Sequence, residues 1–472
     1  MIARFVAQCQ ARPKAVLAAC ALLLALQIGP WWYSSVDSTA YLSMARSLAR
    51  GTGPTNLGSP LLWYSPGYPL LLSPLFMTSE RPFVLIAVFQ WLLAVGLMLG
   101  VYRWGKRVEP RAALWLAALT VVNHGFCIHF RRPLSEAAFM CVLVWSINLL
   151  GTLTGTMRTP RFAFRLAGCA VLLALVSAIR PVGIMLAPAF ALWALREARE
   201  CRWGWLRAIA ATLVVAAGAA APVALFVHHE RALAAQLGGR SYADNFHDAA
   251  RSPLESYSRG LQLCISDIGR VCIPGFFKTH AAPGDWTDPN MVIHVPFFVL
   301  VCLGWWRWRG CANDLYAWYV PFYLLLIAAH AMDTGARLLL PLLPALLACA
   351  WFALQGTGER RRYVAAACLV VQLIVAGGYW LGVDLPRARR FGRQWPAVDN
   401  LVARITADPR PVVAMNLPGE LERMLELALD HPVLRDDDGT NRPCWIVTAR
   451  GSDLSADGFV PRHTAGELAL WR

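Results

Sequence analysis

Charged residues are scarce in this chain, and lysine is nearly absent. Only 15% of the 472 residues are charged and three are lysine, whereas 57% are hydrophobic and the mean hydropathy is +0.45. Soluble domains have about a quarter of their residues charged, and a water-soluble fold of this size has too little interior to bury so much apolar surface. The composition therefore excludes a soluble enzyme and a disordered chain, and it predicts a polytopic membrane protein.

The chain also lacks the short motifs of several large protein classes. It contains no P-loop, no Gly-x-Gly-x-x-Gly fingerprint, no zinc-ligand spacing and no visible internal repeat. The absence of a repeat argues against a transporter built from repeated halves. We expect no metal ion and no bound cofactor.

Apolar runs predict about eleven transmembrane helices, since a hydrocarbon core about 30 Å thick needs about 20 apolar residues per span. The two short runs on either side of Arg180-Pro181 are the least regular, because proline permits a turn or a kink. The predicted spans are residues 15–33, 82–102, 112–130, 134–154, 166–179, 182–195, 205–227, 291–306, 315–331, 338–355 and 363–383.

The positive charges predict the side on which each loop lies. The chain has 44 Lys and Arg against 29 Asp and Glu, and cytoplasmic loops of membrane proteins are enriched in Lys and Arg. This topology explains the basic balance without a nucleic-acid partner. The predicted inside loops are all basic: 103–111, 158–165, 196–207, 307–309 and 360–362. Four arginines directly after the last span depart from the rule: Arg387, Arg389, Arg390 and Arg393.

The odd number of spans places the C-terminal tail on the outer side. We therefore expect a multi-pass protein of the bacterial inner membrane, with a transmembrane module over residues 1–383 and a small extracytoplasmic α/β domain over 384–472. Alternating apolar runs predict the elements of that domain. These are strands at 411–416 and 445–449, a helix at 420–429 and a hairpin at 459–471.

A surface helix is predicted directly after the first span. It begins at Asp37 and ends at Gly51, and we expect it to be amphipathic and to lie on the outer membrane surface. Its apolar face consists of Tyr41, Met44, Ala45 and Leu48. Asp37 has two interpretations, an N-cap worth about 1 kcal/mol or a catalytic carboxylate. A second surface element at 61–72 contains prolines and is predicted to fold back at the interface.

These residues resemble the GT-C superfamily of membrane glycosyltransferases. Asp37 with a tyrosine four residues on, the Ala-x-x-Leu-x-x-Gly helix and the Tyr-x-Pro-x-Tyr-Pro-Leu run from Tyr64 are similar to bacterial members related to protein O-mannosyltransferases and to the lipid A aminoarabinose transferase. Further motifs extend the resemblance over roughly residues 15–355: Leu134-Ser135-Glu136, Arg180-Pro181-Val182-Gly183 and Arg337-Leu338-Leu339-Leu340-Pro341. Many relatives have Asp-Glu where this chain has Asp37-Ser38, which puts a metal-binding role of that position in doubt.

The resemblance implies inverting transfer of a sugar from a polyprenyl-phosphate carrier to an acceptor hydroxyl of a lipid, glycan or protein at the outer membrane face. Asp37 matches the family's catalytic aspartate, which takes the proton of the hydroxyl. The leaving phosphate needs fixed cations, and a guanidinium binds phosphate oxygens in pairs. The candidates for binding the donor phosphate are Arg337, Arg131, Arg132 and Arg180. Contact with lipid headgroups is the alternative for each arginine taken alone.

Glu136 and two cysteines have open interpretations. Glu136 lies near the top of an apolar helix, where an unpaired carboxylate costs about 3 kcal/mol. It either pairs with one of the arginines or has a catalytic role in assisting the acceptor. Cys264 and Cys272 lie in the predicted outer loop, and their spacing is compatible with a disulfide or with free thiols.

Two alternatives to a glycosyltransferase remain. One is a polytopic transporter or lipid flippase without transferase activity. The ionisable residues of the chain cluster at the predicted outer boundary rather than at the midplane, which favours an enzyme. The other is an inactive relative that serves as an assembly partner, against which the presence of Asp37 argues.

Overall fold

The computed structural model describes a predominantly helical protein. The described residues are 2–60, 64–153, 161–200, 204–237, 253–273, 288–311, 313–330, 336–406, 412–415, 419–429, 434–435, 445–449, 461–465 and 468–471. Their α-helices are α1 Ile2–Ala11, α2 Pro13–Ala25, α3 Val36–Ala49, α4 Gly67–Phe76, α5 Phe83–Val108, α6 Ala113–Val122, α7 His124–Arg131, α8 Ser135–Leu150, α9 Arg161–Ile179, α10 Leu186–Arg199, α11 Trp205–Leu237, α12 Pro253–Cys272, α13 Met291–Cys311, α14 Leu315–His330, α15 Leu343–Ala353, α16 Arg360–Tyr379, α17 Leu385–Gly392, α18 Trp395–Thr406 and α19 Gly419–Leu429. Short 3₁₀-helices cover Pro181–Met185, Ala336–Leu342 and Gln355–Thr357, and a π-helical turn covers Trp380–Asp384.

The helices of this multi-pass membrane protein agree in position with the predicted spans. Within the described ranges, six helical segments are long and apolar enough to cross a membrane, or seven if the pair α6 and α7, bent by 51°, forms one span. Each of the eleven predicted segments contains a helix, including shorter apolar ones such as α2 and α8. The number of segments that cross the membrane remains a prediction.

The chain divides into two compact units. The first consists of Met1–Ile28, Val88–Arg131 and Ser135–Gly378, and the second of Gly29–Ala87, Arg132–Leu134 and Tyr379–Arg472. The predicted division at residues 383 and 384 remains a prediction.

Helix-on-helix packing builds the first unit. Helix α9 packs against α11, α12 against α14, and α13 against α15. The last pair approaches so closely that a Cβ at Gly304 would lie 1.7 Å from the Cys349 carbonyl oxygen, so this position requires glycine. A buried aromatic group adds to the core, because the Trp104 ring contacts Trp308 at 5.7 Å and Tyr316 at 5.2 Å.

The second unit contains a five-stranded sheet near the C-terminus. Its strands are β1 Val412–Met415, β2 Leu434–Arg435, β3 Trp445–Ala449, β4 Pro461–Ala465 and β5 Leu468–Trp471. Their order is β2-β1-β3-β5-β4, and β1 runs parallel to both of its neighbours. Strands β4 and β5 pair antiparallel where a hairpin is predicted, and β1, β3 and α19 also lie at predicted positions.

Two local expectations are wrong. The helix of the first predicted span ends at Ala25, because Gly29-Pro30 follows and cannot continue it. Helix α3 is not a one-sided surface helix, since every residue from Ser38 to Ser47 is buried.

Contacts within the second unit explain the burial of α3. Helix α4 packs against it, and so does α19 from the C-terminal region. The Arg46 guanidinium donates a hydrogen bond of 2.6 Å to the Leu427 carbonyl oxygen. Because α19 covers a face of α3 that the pattern assigned to solvent, the amphipathic prediction fails.

Candidate active site

Asp37 lies in the first turn of α3, but it does not cap the helix. The N-cap is Ser35, whose hydroxyl accepts a hydrogen bond from the Ser38 backbone N–H at 3.2 Å, while the Ser38 hydroxyl accepts one from the Ser35 N–H at 2.8 Å. This reciprocal capping box satisfies the start of the helix. The N-cap interpretation of Asp37 is therefore wrong, and its half-buried carboxylate is not required for capping.

The tyrosine motif after α3 supplies a partner for Asp37. The Tyr64 hydroxyl donates a hydrogen bond of 2.7 Å to Asp37 Oδ1. The ring of Tyr64 lies 5.1 Å from that of Tyr41 in α3, and Tyr41 contacts the buried Tyr68 edge-on at 5.1 Å. The sequence reasoning gave Tyr64 no role, although the Tyr-x-Pro-x-Tyr-Pro motif that contains it was the available signal.

The first unit brings together three of the residues selected from the sequence. Glu136, only 1% exposed at the start of α8, accepts hydrogen bonds at Oε1 from Arg180 Nη1 at 3.1 Å and from Arg337 Nε at 2.5 Å. The exposed fraction of the side chain is 13% for Arg180 and 23% for Arg337. Glu136 therefore pairs with two arginines at once, and this arginine cluster has a net charge of about +1, since guanidinium groups stay protonated and the paired carboxylate is ionised.

Local backbone structure holds both arginines of the cluster. Arg180 has an extended conformation directly before the 3₁₀-helix Pro181–Met185. A Cβ at Gly183 in that turn would lie 2.6 Å from Val176 Cγ1, so the Arg-Pro-Val-Gly motif needs its glycine for close packing. Arg337 stands in the 3₁₀-helix Ala336–Leu342, where the Tyr323 hydroxyl donates to the Leu338 carbonyl oxygen at 2.5 Å.

The other two arginines selected from the sequence lie in different surroundings. Arg131, at the end of α7, donates a hydrogen bond of 3.0 Å to Gln27 Oε1 and is 9% exposed. Arg132, the next residue, belongs to the second unit and lines a cleft there. Glu136 is thus a shared hydrogen-bond partner of Arg180 and Arg337.

Cys264 and Cys272 cannot form a disulfide with each other in this fold. Both are buried free thiols on α12, eight residues apart. An α-helix rises about 1.5 Å per residue, so their Cα atoms are separated by about 12 Å, whereas a disulfide needs less than about 7 Å. Burial, with a smaller contribution from Asp267, raises the pKa of the Cys264 thiol to about 12, so this thiol is protonated at neutral pH.

Among the described residues, the side chains around Asp37 do not form a set of ligands for a divalent metal ion. Ser38 stands where many members of the family that this chain resembles have a glutamate. Its hydroxyl accepts hydrogen bonds from the Ser35 backbone N–H in the helix cap and from Trp32 Nε1 at 3.2 Å. In the part of the chain that the structure describes, no three His, Cys, Asp or Glu side chains are close enough to share an ion. Such ions take several oxygen ligands, carboxylates above all. We therefore assign no chemical step to a metal.

Solved membrane glycosyltransferases have the same fold. One is the oligosaccharyltransferase AglB from Archaeoglobus fulgidus, in complex with an inhibitory peptide and a dolichol-phosphate. The match covers 93% of this chain and 69% of the AglB chain, with a TM-score of 0.54 and 13% identity. ArnT from Cupriavidus metallidurans in the apo state matches 97% of both chains, with a TM-score of 0.50 and 13% identity. The protein therefore has the fold of the GT-C membrane glycosyltransferases. No known family model and no curated protein sequence matches the chain.

Proposed function

We propose that the protein is an inverting glycosyltransferase that moves a sugar from a polyprenyl-phosphate carrier to an acceptor hydroxyl at the outer face of the membrane. The observation that carries the proposal is the state of Asp37. Its carboxylate is half-buried at the start of a helix that is capped without it, and Tyr64 fixes its orientation at 2.7 Å. Within the GT-C fold, these properties suit a general base.

The proposed reaction is a direct displacement. The acceptor oxygen forms a bond to the anomeric carbon while the bond from that carbon to the carrier phosphate oxygen breaks. Asp37 takes the acceptor proton, because a neutral hydroxyl is a poor nucleophile and a carboxylate within hydrogen-bond reach raises its reactivity. The products are the glycosylated acceptor and the polyprenyl phosphate, and one displacement inverts the anomeric configuration.

The arginine cluster of Glu136, Arg180 and Arg337 is proposed to bind the carrier phosphate. The leaving group gains negative charge in the transition state, and preorganised guanidinium groups stabilise that charge. A guanidinium has five N–H donors in a planar fork that can bind phosphate oxygens in pairs. The dolichol-phosphate in the AglB complex supports a lipid phosphate as the ligand class.

Glu136 is proposed as a positioning residue rather than a catalytic one. At 1% exposure it is shielded from an acceptor, and both guanidinium groups of the cluster contact it. A carboxylate between two arginines holds them in a fixed geometry and lowers the cost of burying them. Arg131, hydrogen-bonded to Gln27, stays a secondary candidate for the carrier phosphate.

A transfer assay with membranes that contain the protein tests the proposal. We expect radiolabel from at least one donor in a panel of polyprenyl-phosphate sugars to appear in an acceptor fraction, and membranes without the protein serve as the control. A folded protein that transfers no sugar from any donor, but moves lipid-linked sugars across proteoliposome membranes, would establish the transporter alternative instead.

The outer location of the chemistry has its own test. The predicted topology places residue 356 inside and residue 393 outside, and both positions are exposed. In a variant without reactive native cysteines, an impermeant thiol reagent should label Arg393→Cys in cells with a permeabilised outer membrane. Gly356→Cys should be labelled only after the inner membrane is broken. The reverse order of labelling contradicts the outer location.

A further inference from the structure

A cleft in the first unit has no role in the proposed reaction. It lies between the last two turns of α10 and the first turn of α14, two helices that pack against each other, and its volume is about 450 Å³. Sites for small ligands have volumes of about 300–1,000 Å³, so the cleft has the size of a binding site. Six residues line it: Leu192, Leu195, Arg196, Arg199, Glu200 and Trp318.

Exposed tryptophans place this end of the helices at a membrane surface. Trp205 at the start of α11 is 53% exposed and Trp306 near the end of α13 is 64% exposed, and tryptophan is enriched where a membrane meets water. The Arg196 guanidinium donates a hydrogen bond of 3.1 Å to the Arg309 carbonyl oxygen, three residues after Trp306, so the cleft lies at the same end. It is therefore at the level of the lipid headgroups, on the side predicted to be inside.

The face of α10 that lines the cleft changes from apolar to basic along the helix. Leu192, Leu195, Arg196 and Arg199 are three, four and seven residues apart, a spacing that puts them on one helix face. The two leucines are 39% and 45% exposed and come first, nearer the membrane centre, and the two arginines follow toward the helix end. The apolar and basic parts thus have the same order as the acyl chain and the headgroup of a lipid.

The charge of the cleft favours an anion. Two arginines and one glutamate line it, which gives a net charge of +1. Arg196 is held in place by hydrogen bonds from Nε to Glu200 at 2.9 Å and from Nη1 to the Arg309 carbonyl oxygen. Its other terminal nitrogen, Nη2, has no acceptor within the described ranges of the chain. A preorganised guanidinium is well suited to bind phosphate oxygens.

We propose that this cleft binds an anionic glycerophospholipid of the inner leaflet. Its phosphodiester binds Arg196 and Arg199, and an acyl chain lies along Leu192 and Leu195. Basic pockets between transmembrane helices on the cytoplasmic side bind anionic headgroups in other membrane proteins. A zwitterionic lipid fits less well, because its own cation competes with the arginines for the phosphate. The proposal does not depend on glycosyl transfer, and only the choice of leaflet depends on the predicted topology.

Native mass spectrometry of the full-length protein in detergent, titrated with phosphatidylglycerol, tests the site. The tightest bound phosphatidylglycerol should have an affinity at least tenfold higher than phosphatidylcholine has. Arg196→Ala and Arg199→Ala should each weaken that binding about tenfold, the effect of one hydrogen bond to a charged group. The matched control is Arg360→Ala, an exposed arginine on the same predicted side and outside the cleft lining, which should bind as the wild type does.

Two further measurements keep the test decisive. Arg196 also bonds to the backbone of α13, so Arg199→Gln, an exposed position at the last residue of α10, repeats the test if Arg196→Ala melts at a lower temperature. Glycerophosphoglycerol, the same headgroup without acyl chains, should bind at least tenfold more weakly than phosphatidylglycerol, because it makes no contact with Leu192 and Leu195.

Four results would overturn the proposal. The first is equal affinity of the wild type, Arg196→Ala and Arg199→Ala for phosphatidylglycerol. The second is an equally large loss in Arg360→Ala, which would mean that the charge of the whole surface holds the lipid. The third is equal affinity for phosphatidylcholine, which would mean that the lipid charge has no effect. The fourth is equally tight binding of glycerophosphoglycerol, which would make the ligand a soluble phosphodiester instead of a lipid.

Discussion

The two carboxylates selected from the sequence stand in opposite environments, and the contrast separates their roles. Glu136 in the first unit is buried and accepts hydrogen bonds from two arginines, whereas Asp37 in the second unit is half-buried and accepts a hydrogen bond from the Tyr64 hydroxyl. A carboxylate fixed between two cations is a poor proton acceptor, while a more exposed one beside a neutral donor can take a proton. The difference in environment is the reason why we propose Asp37, and not Glu136, as the base.

The largest effect should come from Asp37→Asn. Asparagine keeps the shape of the side chain but cannot take the acceptor proton, so the initial transfer rate should fall about 10²- to 10⁴-fold. The matched control is Glu80→Gln in the same unit, an exposed carboxylate that pairs with Arg50. A rate for Asp37→Asn within about threefold of the wild type would show that the carboxylate is not the base.

Arg337→Ala should have the next largest effect and should act through the donor. The loss of a cation that stabilises the leaving phosphate costs about 2–4 kcal/mol in the transition state, or about 30- to 1,000-fold in kcat/KM for the donor. Arg360→Ala, at an exposed position at the start of α16, controls for the loss of an arginine as such. Wild-type donor kinetics in Arg337→Ala, and separately in Arg131→Ala and Arg180→Ala, would place phosphate binding elsewhere.

Glu136→Gln distinguishes positioning from catalysis. Glutamine can still accept a hydrogen bond from Arg180 or Arg337, but it loses the charge of the ion pair. We expect the donor KM to rise about tenfold with little change in kcat, since charge-assisted hydrogen bonds are about twice as strong as neutral ones. A fall in kcat as large as that of Asp37→Asn, without a change in melting temperature, would assign Glu136 to the chemistry.

Tyr64→Phe should have a smaller effect than any of these changes. It removes the hydrogen bond of 2.7 Å to Asp37 and leaves the ring in contact with Tyr41. The net value of such a bond is about 0.5–1.5 kcal/mol, so kcat should fall about three- to tenfold. An unchanged kcat would mean that the tyrosine does not orient the base.

Ser35→Ala should have the smallest effect on the rate, although it changes the same turn of α3. The loss of the N-cap lowers the free energy of unfolding by about 1 kcal/mol, which a thermal melt detects. The transfer rate should change less than about twofold. A rate as low as that of Asp37→Asn would show that helix geometry, rather than the Asp37 carboxylate, limits the reaction.

Periodicity and motif order predicted much of the fold because they depend on local sequence. The helical segments, the strands near the C-terminus and the motifs that contain Glu136, Arg180 and Arg337 are all visible in short stretches of the chain. The contact of both Arg180 and Arg337 with Glu136 could not be predicted in this way. Arg337 lies 201 residues from Glu136 along the chain, and no local pattern specifies that pair. A motif identifies residues that belong to a site, and only the fold shows which of those residues contact each other.

The failed expectations around α3 have the same cause. Ser35 and Asp37 are both good N-cap residues, and only the backbone geometry shows that the serine has this role. The burial of the helix depends on α19, whose Leu427 carbonyl lies 381 residues from its partner Arg46. A hydrophobic pattern reports one face of a helix and gives no information on a distant element that covers the other.

The configuration of the product at the anomeric carbon tests the proposed mechanism most directly. A donor from the polyprenyl-phosphate panel that supports transfer is supplied with a known anomer, and the anomeric proton coupling of the isolated product is measured by NMR. A single displacement assisted by Asp37 predicts inversion in every product molecule. Retention of configuration would contradict it, because retention requires a covalent intermediate or a second displacement that the proposed role of Asp37 does not provide.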